Sequence, residues 1–274
     1  MNSDLLFSNF SHSPFFLEIL TQLQLVIPLS IAYISMHSIG IINLMFQGHL
    51  STDAIASTAL ANFFMSITGG TLLFGLHSGI DTLGSQYYGQ RDIFQFGLVV
   101  LRGLFICCLL AIPVTVAWCF SALSLNLLSE PHIASMAQSY TRVTSVGLLP
   151  LVIIDALRRF LTIEQQTIPI MFVNILGFVL TIPLNYFFTI YLKLGHIGSA
   201  WTWVSAHYVQ LSLLLGYLLW SRRLYHLPSP VKYWFEIWKI SRCYLYLSYA
   251  LPGLGTQAGQ WLTFELQTVF AALQ

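Results

Sequence analysis

Glu265 is the acidic residue in this sequence best suited to bind and release a proton. It lies well inside the last apolar run, with Thr263, Gln267 and Thr268 beside it. A charged side chain in the middle of a bilayer costs about 2.5–3.5 kcal/mol on insertion scales, so its presence needs a reason. A carboxyl removed from water can exchange its proton near neutral pH. We therefore predict proton coupling at Glu265; the alternative is a shallow helix whose carboxyl reaches water.

A polar stripe follows the second apolar run. Asn62, Ser66, Gly70, His77 and Asp81 succeed one another at spacings of four, four, seven and four residues, which aligns them on one helix face. This pattern predicts that the face borders an interior cavity, with Asn62, Ser66 and His77 on a substrate path. For His77 the alternative is a histidine satisfied inside the core.

Charged residues near the ends of the second and fourth runs suggest contacts between helices. We interpret Asp81, Gln86 and Arg159 as gating or structural residues, since Asp81 could cap its helix or pair with Arg91 or Arg159. A transport role for Asp81 is the alternative. Asp155 precedes Arg158 and Arg159 by three and four residues, which predicts an ion pair near the membrane edge, and we assign it no chemistry.

The fifth apolar run has a second polar stripe. Asn174, Thr181 and Asn185 are spaced by seven and four residues, and Pro183 frees a backbone carbonyl where the helix bends. Two interpretations are open. The stripe could line a solute cavity, together with Gln267 of the last run, or it could form hydrogen bonds between helices, each worth only about 0.6–2 kcal/mol in membrane bundles.

The composition requires lipid around these runs. The 274 residues are 56% hydrophobic and 8% charged, whereas a soluble domain has about 25% charged residues. The formal charge of +1 gives no basic excess of the kind that would indicate nucleic acid. Four cysteines without a CxxC pair predict no metal site or disulfide framework, and no cofactor is expected. The sequence has no hydrolase or kinase motif, so we expect no enzyme.

The apolar runs predict an all-α, polytopic membrane bundle of six transmembrane helices and the start of a seventh. A span needs about 20 mostly apolar residues, and the runs are too apolar on every face for barrel strands. The spans are placed near residues 22–46, 56–80, 97–120, 135–157, 168–192 and 197–220, with the seventh starting near 247. Aligning Pro252 with Pro28 also aligns Phe270 with Phe46, which makes the seventh span resemble a restart of the first and the chain half a transporter.

The distribution of lysine and arginine predicts the orientation. These residues concentrate in the loops after the second, fourth and sixth spans, which the positive-inside rule places in the cytoplasm together with the N-terminus. The predicted units are a cytoplasmic segment 1–20, a six-helix membrane unit 21–220, a cytoplasmic linker with an interfacial helix 221–246, and the seventh helix 247–274. We expect a multi-pass protein of a plasma or inner membrane.

Several motifs together resemble the multidrug and toxic compound extrusion (MATE) family, in particular its eukaryotic-type branch. Residues 45–50 (MFQGHL) are similar to the family's MFVGHLG, and residues 79–89 (GIDTLGSQYYG) to its ALDTLCGQAYGA. Residues 157–161 (LRRFL), 182–186 (IPLNY) and 198–200 (GSA) follow its LRRFLQ, PLNY and GAA motifs in order and spacing. The resemblance covers residues 20–274, equivalent to the N-lobe and the first helix of the C-lobe.

The resemblance implies two pseudo-symmetric lobes, alternating access, and export of organic, often cationic, compounds against a proton or sodium gradient. Residues 261–265 (WLTFE) are similar to the family's WWAFE, whose acid couples protons in the eukaryotic-type branch. The first-helix aspartate of the bacterial branches would fall at Asn43, which cannot titrate. Glu164 replaces the usual glutamine, Gln47 replaces valine, and most of the C-lobe is absent from this chain.

The sequence thus predicts a proton-coupled antiporter that exports drugs or organic cations. Its partners would be a small-molecule substrate, a proton or sodium ion, and the lipid bilayer. The alternatives are a truncated, non-transporting membrane subunit or relic, and a flippase for a lipid or lipid-linked substrate. A flippase would need more basic residues in its cavity than the few interior cations that the sequence suggests.

Overall fold

The structure is a computed structural model that describes the backbone of residues 14–272 and the side chains of residues 17–261 and 263. Within this range the chain forms helices joined by turns and by one longer linker, residues 221–239, without any strand, which confirms the predicted all-α class. Seven long helices follow one another: α1 Pro14–Gly48, α2 Thr52–Gly89, α3 Ile93–Cys119, α4 at residues 131–163, α5 Thr167–Tyr191, α6 His196–Trp220 and α7 Ile240–Ala272.

Local capping residues set the starts of several helices. The Ser51 hydroxyl accepts a hydrogen bond from the Ala54 amide at 3.1 Å, and a carboxylate oxygen of Asp92 accepts one from the Gln95 amide at 3.0 Å. Pro131 occupies the first turn of α4, where its missing N–H is not needed. These residues satisfy or avoid the free amides of a helix start, which is why the sequence shows where these helices begin.

Helix α2 is interrupted by two π-helical segments. Ser66–Gly70 and Ile80–Gly84 enclose the regular segment Thr71–Gly79, which contains His77. A π-segment widens the turn and rotates the residues after it, and such segments are frequent at functional sites. The simple four-residue spacing used to predict one polar face on α2 therefore does not hold along its whole length.

Four helical stretches within the described residues are long and apolar enough to cross a membrane. They are Leu17–Gly48, Thr52–Gly89, Ile93–Cys119 and Thr167–Tyr191. Helices α4 and α6 coincide with two further predicted spans but are less apolar, and α4 contains Asp155 and three arginines. The chain is a multi-pass membrane protein, and the number of six spans before α7 stays a prediction.

Helix α7 packs closely on the middle of α2. A methyl group added to Gly75 would lie 2.7 Å from the Leu254 backbone, and one added to Gly79 would lie 2.8 Å from the Tyr246 ring. The Tyr246 hydroxyl donates a hydrogen bond to the Leu76 carbonyl at 2.9 Å. Helix α7 begins at Ile240, earlier than the predicted residue 247, and its buried contact with α2 starts at Tyr246.

Candidate functional site

A cavity of about 550 Å³ lies between helices α1, α2, α4, α5, α6 and α7. One part of its wall is apolar and aromatic, formed by residues such as Tyr33 and Phe74. Helix α1 contributes one polar residue, His37, and α4, α5 and α6 contribute six: Asp155, Arg158, Arg159, Asn174, His207 and Gln210. Helix α7 adds Gln257, Gln260 and Trp261. A partly aromatic cavity of this volume is typical of small-molecule sites.

Asp155 is the centre of a buried charge network in this wall. Only 2% of the residue is exposed, and one of its carboxylate oxygens accepts a hydrogen bond from Arg158. The other oxygen lies 2.8 Å from His77 Nδ1 and 3.0 Å from Arg159 Nε. The predicted pairing with both arginines is therefore present, but it is buried beside a cavity and includes a histidine from α2.

Arg159 connects Asp155 to Asp81. Its guanidinium forms an ion pair with the Asp81 carboxylate and donates a hydrogen bond to the Phe74 carbonyl at 3.2 Å. Asp81 is 48% exposed, and Gln86 on the next turn of α2 is also exposed. Arg159 is thus the partner of Asp81 and ties α4 to α2.

The predicted stripe of α2 is divided between different environments. His77 is fully buried and reaches the cavity only through Asp155; its Nε2 has no hydrogen-bond partner among the described residues. Asn62 and Ser66 are half-buried on the turns before and within the first π-segment, away from the cavity wall. Of this stripe, His77 is the residue that contacts the charged network.

The predicted stripe of α5 is divided as well. Asn174 lines the cavity and lies 3.5 Å from the Gln210 amide of α6. Thr181 is buried and donates to the Gly177 carbonyl at 2.8 Å. Asn185 is buried and donates to the Asn43 side chain of α1 at 2.7 Å. Asn174 therefore fits the cavity interpretation, and Asn185 fits the interpretation of hydrogen bonds between helices.

The predicted proton carrier lies outside the described side chains. The backbone of α7 is helical through Ala272, but the side chains of Glu265 and Gln267 are not among those that the structure describes. Trp261, four residues before Glu265, lies in the cavity wall.

Several cavity residues were not predicted from the sequence. The pair His207 and Gln210 on α6 and the pair Gln257 and Gln260 on α7 each have a spacing of three residues within an apolar run. That spacing places two polar side chains on one helix face and could have identified them. Arg158 and Arg159 also border the cavity, which is more basic than the sequence suggested.

The described residues contain no group of three His, Cys, Asp or Glu side chains that could hold a metal ion. The four cysteines are free and lie at separate positions on α3 and α7.

A second buried carboxylate fastens the linker between α6 and α7. Glu164, at the end of α4, lies 2.6 Å from Arg223 Nη1 and 2.5 Å from His226 Nδ1. Burial lowers the pKa of Arg223, but the hydrogen bond and the charge of Glu164 outweigh it and leave the pKa above its ordinary value. Arg102 of α3 holds the C-terminal part of the same linker. It donates hydrogen bonds to the Glu236 and Ile237 carbonyls, both at 2.9 Å.

The chain is similar in sequence to proteins of an animal and of a plant. It is 28% identical over 251 residues to multidrug and toxin extrusion protein 2 of Mus musculus, which covers 90% of this chain and 42% of that protein. It is 28% identical over 210 residues to protein DETOXIFICATION 17 of Arabidopsis thaliana, covering 76% of this chain and 44% of that protein. The chain thus spans less than half the length of these two relatives.

The fold is similar to that of solved MATE transporters. The structure of the eukaryotic MATE transporter AtDTX14 superposes with a TM-score of 0.84 at 20% identity, covering 94% of this chain and 57% of that one. A MOP superfamily transporter from Pyrococcus furiosus superposes with a TM-score of 0.71 at 22% identity, covering 86% of this chain and 52% of that one. The family model named MatE matches residues 28–187, more than half of the sequence. The chain therefore belongs to the MatE family.

Proposed function

We propose that this protein is a secondary active exporter of drugs or organic cations that works by alternating access and exchanges its substrate for a proton. The observation that supports this proposal most is the cavity of about 550 Å³ lined by six helices of a MatE-family chain. Its wall combines aromatic rings, which attract organic cations, with amide and charged groups that can orient a substrate. Its sequence relatives include proteins named for multidrug and toxin extrusion.

Glu265 is the proposed proton carrier. It follows Trp261 by four residues in the same helix, the spacing that repeats a helix face, and Trp261 borders the cavity. A carboxyl at this depth would release its proton on one side of the membrane and bind the substrate or another proton on the other side. Sodium is the alternative coupling ion. This arrangement requires Gln257, Trp261 and Glu265 to share the cavity side of α7.

We further propose that the protein lies in a plasma or inner membrane with its N-terminus in the cytoplasm. In this orientation the linker between α6 and α7 is cytoplasmic and separates the six-helix unit 21–220 from α7. The exposed Arg222, Lys232 and Lys239 of the linker support this assignment, because positively charged loops remain on the cytoplasmic side.

The test is transport in proteoliposomes that contain the protein expressed from its complete coding sequence. We expect uptake of a fluorescent organic cation when a pH gradient is imposed, and loss of this uptake in Glu265→Gln. Glu130→Gln is the matched control, since Glu130 is exposed in the turn before α4 and should be dispensable. Undiminished proton-driven uptake in Glu265→Gln would refute the coupling role.

The same assay separates the other candidate functions. A folded protein that binds the cation but never transports it would support a non-transporting subunit or relic. Transbilayer movement of a labelled phospholipid in place of the cation would support a flippase. Uptake driven by a sodium gradient and not by a pH gradient would support an exporter that is coupled to sodium instead of protons.

A further inference from the structure

Arg158 presents a guanidinium group to the cavity. The side chain is 14% exposed, and its Cζ lies 5.1 Å from the centre of the Tyr33 ring, which holds the group over an aromatic face of α1. Its described hydrogen bonds use one terminal nitrogen for Asp155 and the other for the Met36 sulfur at 3.1 Å. A guanidinium has five N–H donors, and a thioether is a weak acceptor. Arg158 therefore retains donors that these contacts do not use.

Asp155 is not available to bind a cationic substrate. Its two oxygens accept from Arg158, His77 and Arg159, and the residue is almost completely buried. A carboxylate offers about four acceptor positions, so three donors occupy most of them. The negative charge of Asp155 is shared with two guanidinium groups and cannot also balance a substrate ammonium group.

The rest of the described polar wall consists of amides and of the His37 and His207 imidazoles, and it offers no further carboxylate to a ligand. Gln210, Gln257 and Gln260 face the cavity, and the indole nitrogen of Trp261 is a buried donor without a partner among the described residues. Arg159 is more fully occupied than Arg158, because it also pairs with Asp81. The group best placed to bind a new acceptor in this wall is therefore Arg158.

We infer that Arg158, held on Tyr33, forms a subsite for an oxyanion of the substrate. The transported compound then carries a carboxylate, or a similar anionic oxygen group, on the same scaffold as its organic cation. This inference rests on the proposed function, because it specifies part of the substrate. Planar oxyanions suit this subsite, since guanidinium groups bind them through two parallel hydrogen bonds.

Binding of a matched pair of dyes to the detergent-solubilised protein tests the subsite. One dye is a rhodamine with a free benzoic acid, and the other is the methyl ester of the same rhodamine. We expect the acid to bind about tenfold more tightly than the ester by fluorescence anisotropy, as one charge-assisted hydrogen bond predicts. Arg158→Gln should remove this preference. An equal affinity of the original protein for both dyes would overturn the inference.

Two further variants separate binding from folding. Arg142→Gln is the matched control, because Arg142 lies on the exposed side of α4 and should retain the preference for the acid. Asp155→Asn removes the carboxylate that competes for Arg158, so the preference for the acid should increase. If Asp155→Asn abolishes the preference in a protein that elutes as a single species, Arg158 is only a structural partner of Asp155 and the inference fails.

The dye experiment is independent of the transport test. A preference for the acid without any proton-driven uptake would support the subsite and reject the exporter. Uptake of both dyes at equal affinity would support the exporter and reject the subsite. Displacement of the acid dye by a short-chain anionic phospholipid, but not by benzoate, would show that the subsite accepts a lipid phosphate and would overturn the assignment to an organic compound.

Discussion

Asp155 shows how a buried charge can be kept in a membrane bundle. Two arginines from its own helix and a histidine from α2 surround the carboxylate, and the positive guanidinium groups in direct contact balance its negative charge. An isolated charge in this position would be costly, whereas a paired and hydrogen-bonded charge is tolerated. The network also connects α2 and α4, and its integrity therefore affects the wall of the cavity.

His77 is expected to contribute to stability through its hydrogen bond to Asp155. His77→Leu removes one of three donors to a buried carboxylate, which should cost about 1.5–3 kcal/mol of unfolding free energy. His77→Asn places an amide N–H near the position of Nδ1 and should be destabilised less. Thermal unfolding in detergent, followed by tryptophan fluorescence, measures both. Equal loss in the two variants would show that side-chain volume, and not the hydrogen bond, matters at this position.

Residue-scale predictions succeeded where the partners are close in sequence. The pairing of Asp155 with Arg158 and Arg159 follows from helical spacing of three and four residues. The contact of His77 with Asp155 joins residues that are 78 positions apart, and no local pattern contains that information. The cavity role of Asp155 was missed for the same reason.

At the scale of elements, the linker between α6 and α7 is fixed at both ends by buried polar groups. Glu164 holds its first turn, and Arg102 holds the carbonyl end of the short helix Trp234–Ile237. Gly97 of α3 allows this contact, since a methyl group there would collide with the linker backbone around His226. The linker thus connects α3 and α4 to the start of α7. A movement of α7 relative to α3 and α4 would require the contacts of Glu164 and Arg102 with the linker to change.

Glu164→Gln is expected to loosen the linker without unfolding the helices. The glutamine retains hydrogen-bonding oxygen but loses the charge that holds Arg223 and His226, so amide hydrogen exchange within residues 223–239 should accelerate about tenfold, as the loss of one charged hydrogen bond predicts. Mass spectrometry of peptides from the linker measures this rate. Glu236→Gln, an exposed side chain in the same segment, is the control. Unchanged exchange in Glu164→Gln would mean that Arg102 alone fixes the linker.

The helices themselves were predictable from apolar runs and capping residues. The six predicted spans coincide with α1 to α6, because each run ends at polar, glycine or proline residues that stop a helix. The π-segments of α2 and the early start of α7 were not predictable. The first depends on the local hydrogen bonding of Ser66–Gly70 and Ile80–Gly84. The second adds a first turn that is mostly exposed and lies before the apolar run, with Ile240 and Tyr244 as examples.

At the scale of the whole molecule, the placement of charges on the loops predicts how the bundle sits in the membrane. The loop between α3 and α4 contains no lysine or arginine, whereas the linker after α6 contains several. Short loops rich in positive charge stay in the cytoplasm, and neutral loops cross the membrane. The two loops should therefore lie on opposite sides.

Single cysteines test this orientation in intact cells. The substitutions are Asn126→Cys in the loop after α3 and Ser229→Cys in the linker, both at exposed positions. Each is introduced into a protein whose native cysteines are replaced by alanine. A membrane-impermeant maleimide added outside should label residue 126 within minutes and should label residue 229 only after the membrane is permeabilised. The reverse pattern would show that the bundle has the opposite orientation, with the linker outside the cell. The proposed direction of transport would then be reversed. Labelling of both positions in intact cells would place both loops on the outer side of the membrane. Helices α4, α5 and α6 would then not make the three crossings that are predicted between these loops.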